Sequence, residues 1–215
     1  LWHRTADVPL VHTVHNAHTK PPHDWDSPMD VTWSGWLDTL PDYDAVPVAT
    51  AGVSVDGARS VCPEVASFHT SERWRELADL HRSRPLYPEE TLQATLVLTA
   101  SRGIRSSVVA AAPERRRRVF TLQEAVWLGS GFVVEPGTPG MDALAAFQRY
   151  IDDHRGLRQL PKRPRRLLPS RQWQDPLDIR DGHVLGAGAH RRTVRTVDES
   201  ARELASLLTG ARPRE

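Results

Sequence analysis

The chain has 215 residues with a formal net charge of +1, 39% hydrophobic and 26% charged residues, and a single cysteine, Cys62. Such length and composition suit one ordinary α/β-sized domain with a sizeable core. They exclude an internal disulfide, a multi-cysteine metal cluster and any bilayer-spanning run of about 18 apolar residues.

Val8 to Val14 reads as a first strand, apolar and bounded by polar residues. Thr19 to Ser27, with Pro21-Pro22, is a loop, and Met29 to Leu40 a short helix weakened by Thr32 and Gly35. Val46 to Thr50 is a second strand ending at an Ala51-Gly52 turn. Val61 to Leu80 is helical in two pieces, the second capped by Ser71. Glu89 to Ala94 gives a helical turn. The continuous apolar run Thr95-Leu96-Val97-Leu98-Thr99 is the pattern of a parallel strand buried on both faces. Ser101 to Ala112 is a helix stopped by Pro113, Val119 to Leu122 a fourth strand, and Gln123 to Leu128 a helix. Met141 to His154 is amphipathic through Leu144, Phe147, Tyr150 and Ile151. Pro161 to Gln174 is a loop rich in proline and arginine. Thr193 to Leu208 closes the chain as a helix, with Val194, Val197, Ala201, Leu204 and Leu208 on one stripe.

Strands alternating with helices predict a doubly wound sheet of four parallel strands with flanking helices. Ligands of such sheets sit beyond the carboxyl ends of the strands, so chemistry is expected in residues 12–28, after the first strand. No opening segment has the make-up of a secretion signal, and the expected compartment is the cytoplasm. Arg115 to Arg118 and Lys162 to Arg166 form basic runs that could meet phosphate-rich partners. Without interleaved aromatics they read as solvated surface, and neither nucleic acid nor membrane is an expected partner.

Val48-Ala49-Thr50-Ala51-Gly52, Val61-Cys62-Pro63-Glu64, His81-Arg82-Ser83-Arg84-Pro85-Leu86, Ala94 to Thr99 and Arg118 to Leu122 follow one another in a familiar order. Leu177-Asp178-Ile179-Arg180-Asp181 then precedes the closing helix. In these segments the chain resembles the low-molecular-weight protein tyrosine phosphatases, including actinobacterial members, from about Val46 to Leu208. The resemblance implies the phosphotyrosine phosphatase I-like fold. It also implies a Cys-x5-Arg-Ser loop directly after the first strand, whose thiolate attacks phosphorus while amides and a guanidinium hold the phosphate oxygens. An aspartate of the late loop protonates the leaving group in such enzymes. Residues 1–45 then form a divergent N-terminal strand, His-rich loop and first helix, and residues 46–210 the remainder of one domain.

That loop is not preserved. If it begins straight after the strand, His12 stands at the cysteine and His18 at the arginine. His15 and Asn16 are then phosphate-binding candidates. If Ser27-Pro28-Met29 is matched to the family's Ser-Pro-Met, Lys20 and Asp26 occupy those positions, eight residues on. Neither register holds a cysteine, an arginine or a glycine. Cys62 falls in a different segment and reads as a packing residue.

His12, His15, His18 and His23 are metal-ligand types, but on a strand His12 and His18 stand about 20 Å apart and His15 faces the other way. No metal or cofactor is expected. Asp181 matches the general acid, although Gly182 follows it where the family has proline, and Asp178 is the fallback. Pro9 to Asn16 and Pro41 to Val46 are similar to the first domain of some nucleotide-sugar glycosyltransferases, which share polysaccharide pathways with the phosphatases.

The leading expectation is a catalytically impaired pseudophosphatase that binds a phosphorylated protein or small phosphate ester. The alternatives are a re-purposed phosphotransfer enzyme using the His12–His18 loop and Asp181, and a glycosyltransferase-derived N-terminal fragment fused to a phosphatase-like domain.

Overall fold

The computed structural model describes residues 11–15, 46, 48–55, 57–68, 70–159, 175–182 and 186–210. The expected loop Thr19–Ser27, helix Met29–Leu40, loop Pro161–Gln174 and basic run Lys162–Arg166 lie outside these residues, as do Asn16 and His18.

Four described strands, β1 (Val11–His15), β2 (Val48–Gly52), β3 (Leu96–Thr99) and β4 (Val119–Thr121), form one parallel sheet in the order β2-β1-β3-β4. β1 is central. Val11 is opposite Val48 on one side and Leu96 on the other, and His15 reaches Gly52. The strand order reverses between β1 and β3, so the crevice beyond their carboxyl ends is where this topology places a ligand.

The second strand runs two residues past Thr50, through the expected turn, because its outer edge is covered. Gly52 N–H donates to Arg84 O and Leu86 N–H to Gly52 O, each at 2.9 Å, making a parallel bridge across Pro85. Pro85 itself has no N–H to give, and its neighbours supply the bonds.

The helices are α1 (Pro63–Ala66), α2 (Glu72–Leu80), α3 (Pro88–Gln93), α4 (Arg102–Ala111), α5 (Leu122–Gly129), α6 (Gly140–Asp153) and α7 (Ala187–Thr209). Ser71, Ser101 and Thr121 cap α2, α4 and α5 with side-chain oxygens that accept from Trp74, Ile104 and Glu124 N–H. Glu124 returns a bond to Thr121 N–H, completing a capping box. Pro113 does end α4, but the arginine run after it winds into a 3-10 helix, Pro113–Arg118.

Period-two alternation divides the sheet between two cores. Leu96, Leu98 and Phe120 face α5, α6 and α7, where they meet Leu144, Phe147, Ile151, Leu204 and Leu208, all with at most 1% exposure. Val97 and Val119 face α4 and pack on Val108 and Ile104. A third cluster joins Val61, Cys62, Val65, Trp74 and Ala78 to Val194 of α7.

α7 begins at Ala187, a turn and a half before the expected Thr193, and ends at Gly210 in the left-handed region (φ 67°), where a side chain would be strained. No described helix is long and apolar enough to cross a membrane.

Candidate functional site

The carboxyl ends of β1, β2, β3 and β4 are His15, Gly52, Thr99 and Thr121. Across the ends of β3 and β4 lies the segment 175–182, the loop in which sequence placed the general acid. Thr121 Oγ1 donates to Leu177 O at 2.6 Å, and Ile179 N–H donates to Ala100 O at 2.8 Å. Leu177 and Ile179 are buried beneath the loop. One strand-end threonine thus caps a helix with its oxygen and anchors this loop with its hydrogen.

Asp178 is committed to structure. Its Oδ1 accepts the Arg102 N–H at 2.8 Å at the first turn of α4, with the Arg102 Nε at 3.7 Å. Asp175 adds a 2.5 Å ion pair to Arg102 and folds the loop through its own Oδ1, which accepts from Leu177 N–H. A carboxylate at a helix start satisfies an orphan donor and complements the helix dipole. Asp178 is therefore occupied as the fallback acid.

Asp181 is half-buried at the far end of the loop. Thr193 Oγ1 donates to Arg180 O at 3.0 Å, just before it, and Gly182 lies just after. Gly182 is buried so tightly against α7 that a Cβ there would stand 2.4 Å from His190 Cα and 2.8 Å from Thr193 Oγ1. This close approach accounts for glycine where the resemblance led one to expect proline.

His12 and His15 are the second and last residues of β1, hydrogen-bonded opposite Ala49 and Gly52. Their backbones are placed; Asn16, His18, Lys20, Asp26 and Ser27 to Met29 lie outside the described residues. Of the named candidates, the described site thus contains the acid loop and the strand that leads to the phosphate-loop position.

Cys62 is elsewhere. It is 1% exposed and N-caps α1, its Sγ accepting from Val65 N–H at 3.4 Å. Burial pushes its thiol pKa up, the Val65 N–H pulls it down, and the charge of Glu64 raises it again. A buried neutral thiol is a poor nucleophile. Its Sγ lies 3.0 Å from Nε2 of His190, itself 4% exposed. Sequence reading missed this partnership because the two residues are 128 positions apart and no local pattern links them. It also missed Arg102 and Thr121 as the anchors of the acid loop.

No family model matches the sequence, and no curated protein matches it either. Solved structures do. The low molecular weight protein tyrosine phosphatase from T. tengcongensis superposes with a TM-score of 0.55 at 16% identity, over 92% of this chain and 98% of that one. VcLMWPTP-2, a low molecular weight phosphotyrosine phosphatase from Vibrio cholerae O395, gives 0.56 at 8% identity, over 92% and 95%. A low molecular weight protein tyrosine phosphatase from Bacillus subtilis gives 0.52 at 19% identity, over 93% and 98%. At these identities the likeness is one of fold: the chain has the mixed α/β architecture of the low molecular weight tyrosine phosphatases, with a parallel sheet and flanking helices.

Proposed function

We propose that this chain is a phosphatase-fold protein without thiolate chemistry, which acts as a binding or regulatory pseudophosphatase for a phosphorylated protein or small phosphate ester. One observation carries the reading. From Val11 to Met29, the stretch that follows the central strand, there is no cysteine, arginine or glycine. A phosphate loop needs a low-pKa thiolate to attack phosphorus, a guanidinium fork to hold two oxygens, and small residues that let backbone amides approach the third. Losing all three together is harder to rescue than losing a nucleophile alone. Cys62 offers no replacement, being buried on α1 with its thiol held neutral.

The extent of β1 leaves the cysteine position of both sequence registers away from the strand's end. His12 stands three residues, about 10 Å, before the strand's end, whereas a phosphate loop begins at that end. Lys20, the cysteine position of the other register, lies five residues beyond that end, so the strand's extent favours neither. β1 is also hydrogen-bonded between β2 and β3, which supports counting residues 1–45 with 46–210 as one domain and weighs against a grafted glycosyltransferase fragment.

A re-purposed phosphotransfer enzyme is the second reading, favoured by the anchoring of the loop that bears Asp181. Steady-state hydrolysis of p-nitrophenyl phosphate tests both. The pseudophosphatase reading expects no turnover above buffer for the wild-type chain or Cys62→Ser. Hydrolysis that Asp181→Asn abolishes would establish the second reading, and hydrolysis lost in Cys62→Ser would overturn both.

A further inference from the structure

Cys62, Glu64 and His190 bring one thiol, one carboxylate and one imidazole together, their ligand atoms all within 4.8 Å of one another. We infer that they form a binding site for a divalent transition-metal ion of the zinc class, which ties α1 to the closing helix. The inference is independent of the pseudophosphatase reading.

The donor set suits such an ion. Zinc accepts sulfur at about 2.3 Å, imidazole nitrogen at about 2.0–2.1 Å and carboxylate oxygen at about 2.0–2.2 Å, in a tetrahedron. Those bond lengths put the sulfur and nitrogen of a tetrahedral site about 3.6 Å apart. Here Sγ and Nε2 are 3.0 Å apart, so the ion's entry needs them to part by about 0.6 Å, within reach of a small side-chain rotation.

The backbone already holds both sides. Cys62 sits in the extended conformation before α1, where the Val65 N–H bond to Sγ stabilises a thiolate as it would a metal-bound sulfur. His190 is fixed by the packing of Gly182 against its Cα and by Val194, one turn on, in the same apolar cluster as Cys62. Glu64 is half-buried and leaves a solvent-facing side for a fourth ligand such as water. The two innermost donors are 1% and 4% exposed, and with three protein ligands the fourth position is left to solvent on the Glu64 side.

Binding proceeds by exchange: the ion replaces the thiol proton on Cys62, which leaves to solvent as the metal–sulfur bond forms. Affinity therefore rises with pH by about tenfold per unit while the free thiol is protonated.

Cobalt(II) chloride is the probe, titrated into the full chain under reducing conditions. Cys62 is the chain's one cysteine, so a thiolate-to-cobalt charge-transfer band in the near ultraviolet reports this site and is blind to the N-terminal histidines. The expected result is a band that saturates at about one equivalent and is bleached by zinc. Melting should shift upward by roughly 5–10 °C at about a hundredfold excess of metal over Kd. Cys62→Ser removes the band, and Glu64→Gln, a change on the half-buried outer side that keeps the fold, weakens affinity by about tenfold or more. No band with the wild-type chain, or a band equally strong in Glu64→Gln and His190→Gln, overturns the site.

Discussion

Gly182→Ala is the sharpest perturbation of the acid loop, because the atom it adds meets backbone. The new Cβ would lie 2.4 Å from His190 Cα and 3.0 Å from His190 N, against an ordinary carbon contact of about 3.5–4.0 Å. The loop and the first turn of α7 must separate by about 1 Å or more, and neither is a flexible side-chain tip. Overpacking of this kind costs about 1–3 kcal/mol. Separation also strains the Thr193 hydroxyl bond to Arg180 O, 3.0 Å long, worth a further ~1 kcal/mol. The sum, about 2–4 kcal/mol, lowers Tm by roughly 4–16 °C in a chain of this size. Urea unfolding should show the midpoint move with an unchanged slope, which marks a loss of stability rather than a change in the unfolded chain. Gly103→Ala is the control. Gly103 is exposed within α4, its added Cβ meets nothing nearer than Ser101 Oγ at 3.7 Å, and helix propensity favours alanine by about 0.5–1 kcal/mol. If both glycine variants melt alike, the close approach of loop and helix is wrong.

Three further outcomes follow from the same geometry. Phe147→Ala empties a fully buried position whose ring meets Phe132 edge-on at 5.3 Å, and should cost about 3–5 kcal/mol in urea unfolding. Asp178→Ala leaves the Arg102 N–H without its charged acceptor, and should cost about 1.5–3 kcal/mol by the same measurement. The third concerns pH. Because the folded state raises the Cys62 pKa, the unfolded chain ionises first as pH rises, and stability is lost there. Unfolding free energy should be flat in this respect below an unfolded thiol pKa of about 8.5 and should fall above it, a slope that Cys62→Ser removes.

Much of the fold was legible because its signals are local. Leu96 to Thr99 is a continuous apolar run because neighbours cover both its edges and helices both its faces, and all four residues are buried. Ser71, Ser101 and Pro113 act within one turn of where they stand, so their helix boundaries could be read directly. Other features depend on distant partners. The arginine run reads as solvated charge, and Arg117 is largely that, yet Arg118 donates to Ala94 O, 24 residues away. The start of α7 at Ala187 carries no apolar stripe, since Gly188, Arg191 and Arg192 face solvent, and only the fit of His190 against Gly182 and Cys62 accounts for it.

The candidate site divides along the same line. A loop bearing an acid before the last helix could be recognised from Leu177 to Asp181, but its anchors, Thr121 and Arg102, are 56 and 76 residues from the groups they hold. Sequence ranks Asp181 ahead of Asp178 by its match to the late-loop acid, and the structure adds that Asp178 is held by the Arg102 N–H and guanidinium at the start of α4.

The central claim is a phosphatase fold without covalent phosphate chemistry, and trapping tests it most directly. A rapidly quenched reaction with excess aryl phosphate, followed by mass spectrometry of the whole chain, should return unmodified protein at every time point. A phosphoryl adduct on Cys62, or on any histidine from His12 to His23, formed in proportion to enzyme would contradict it.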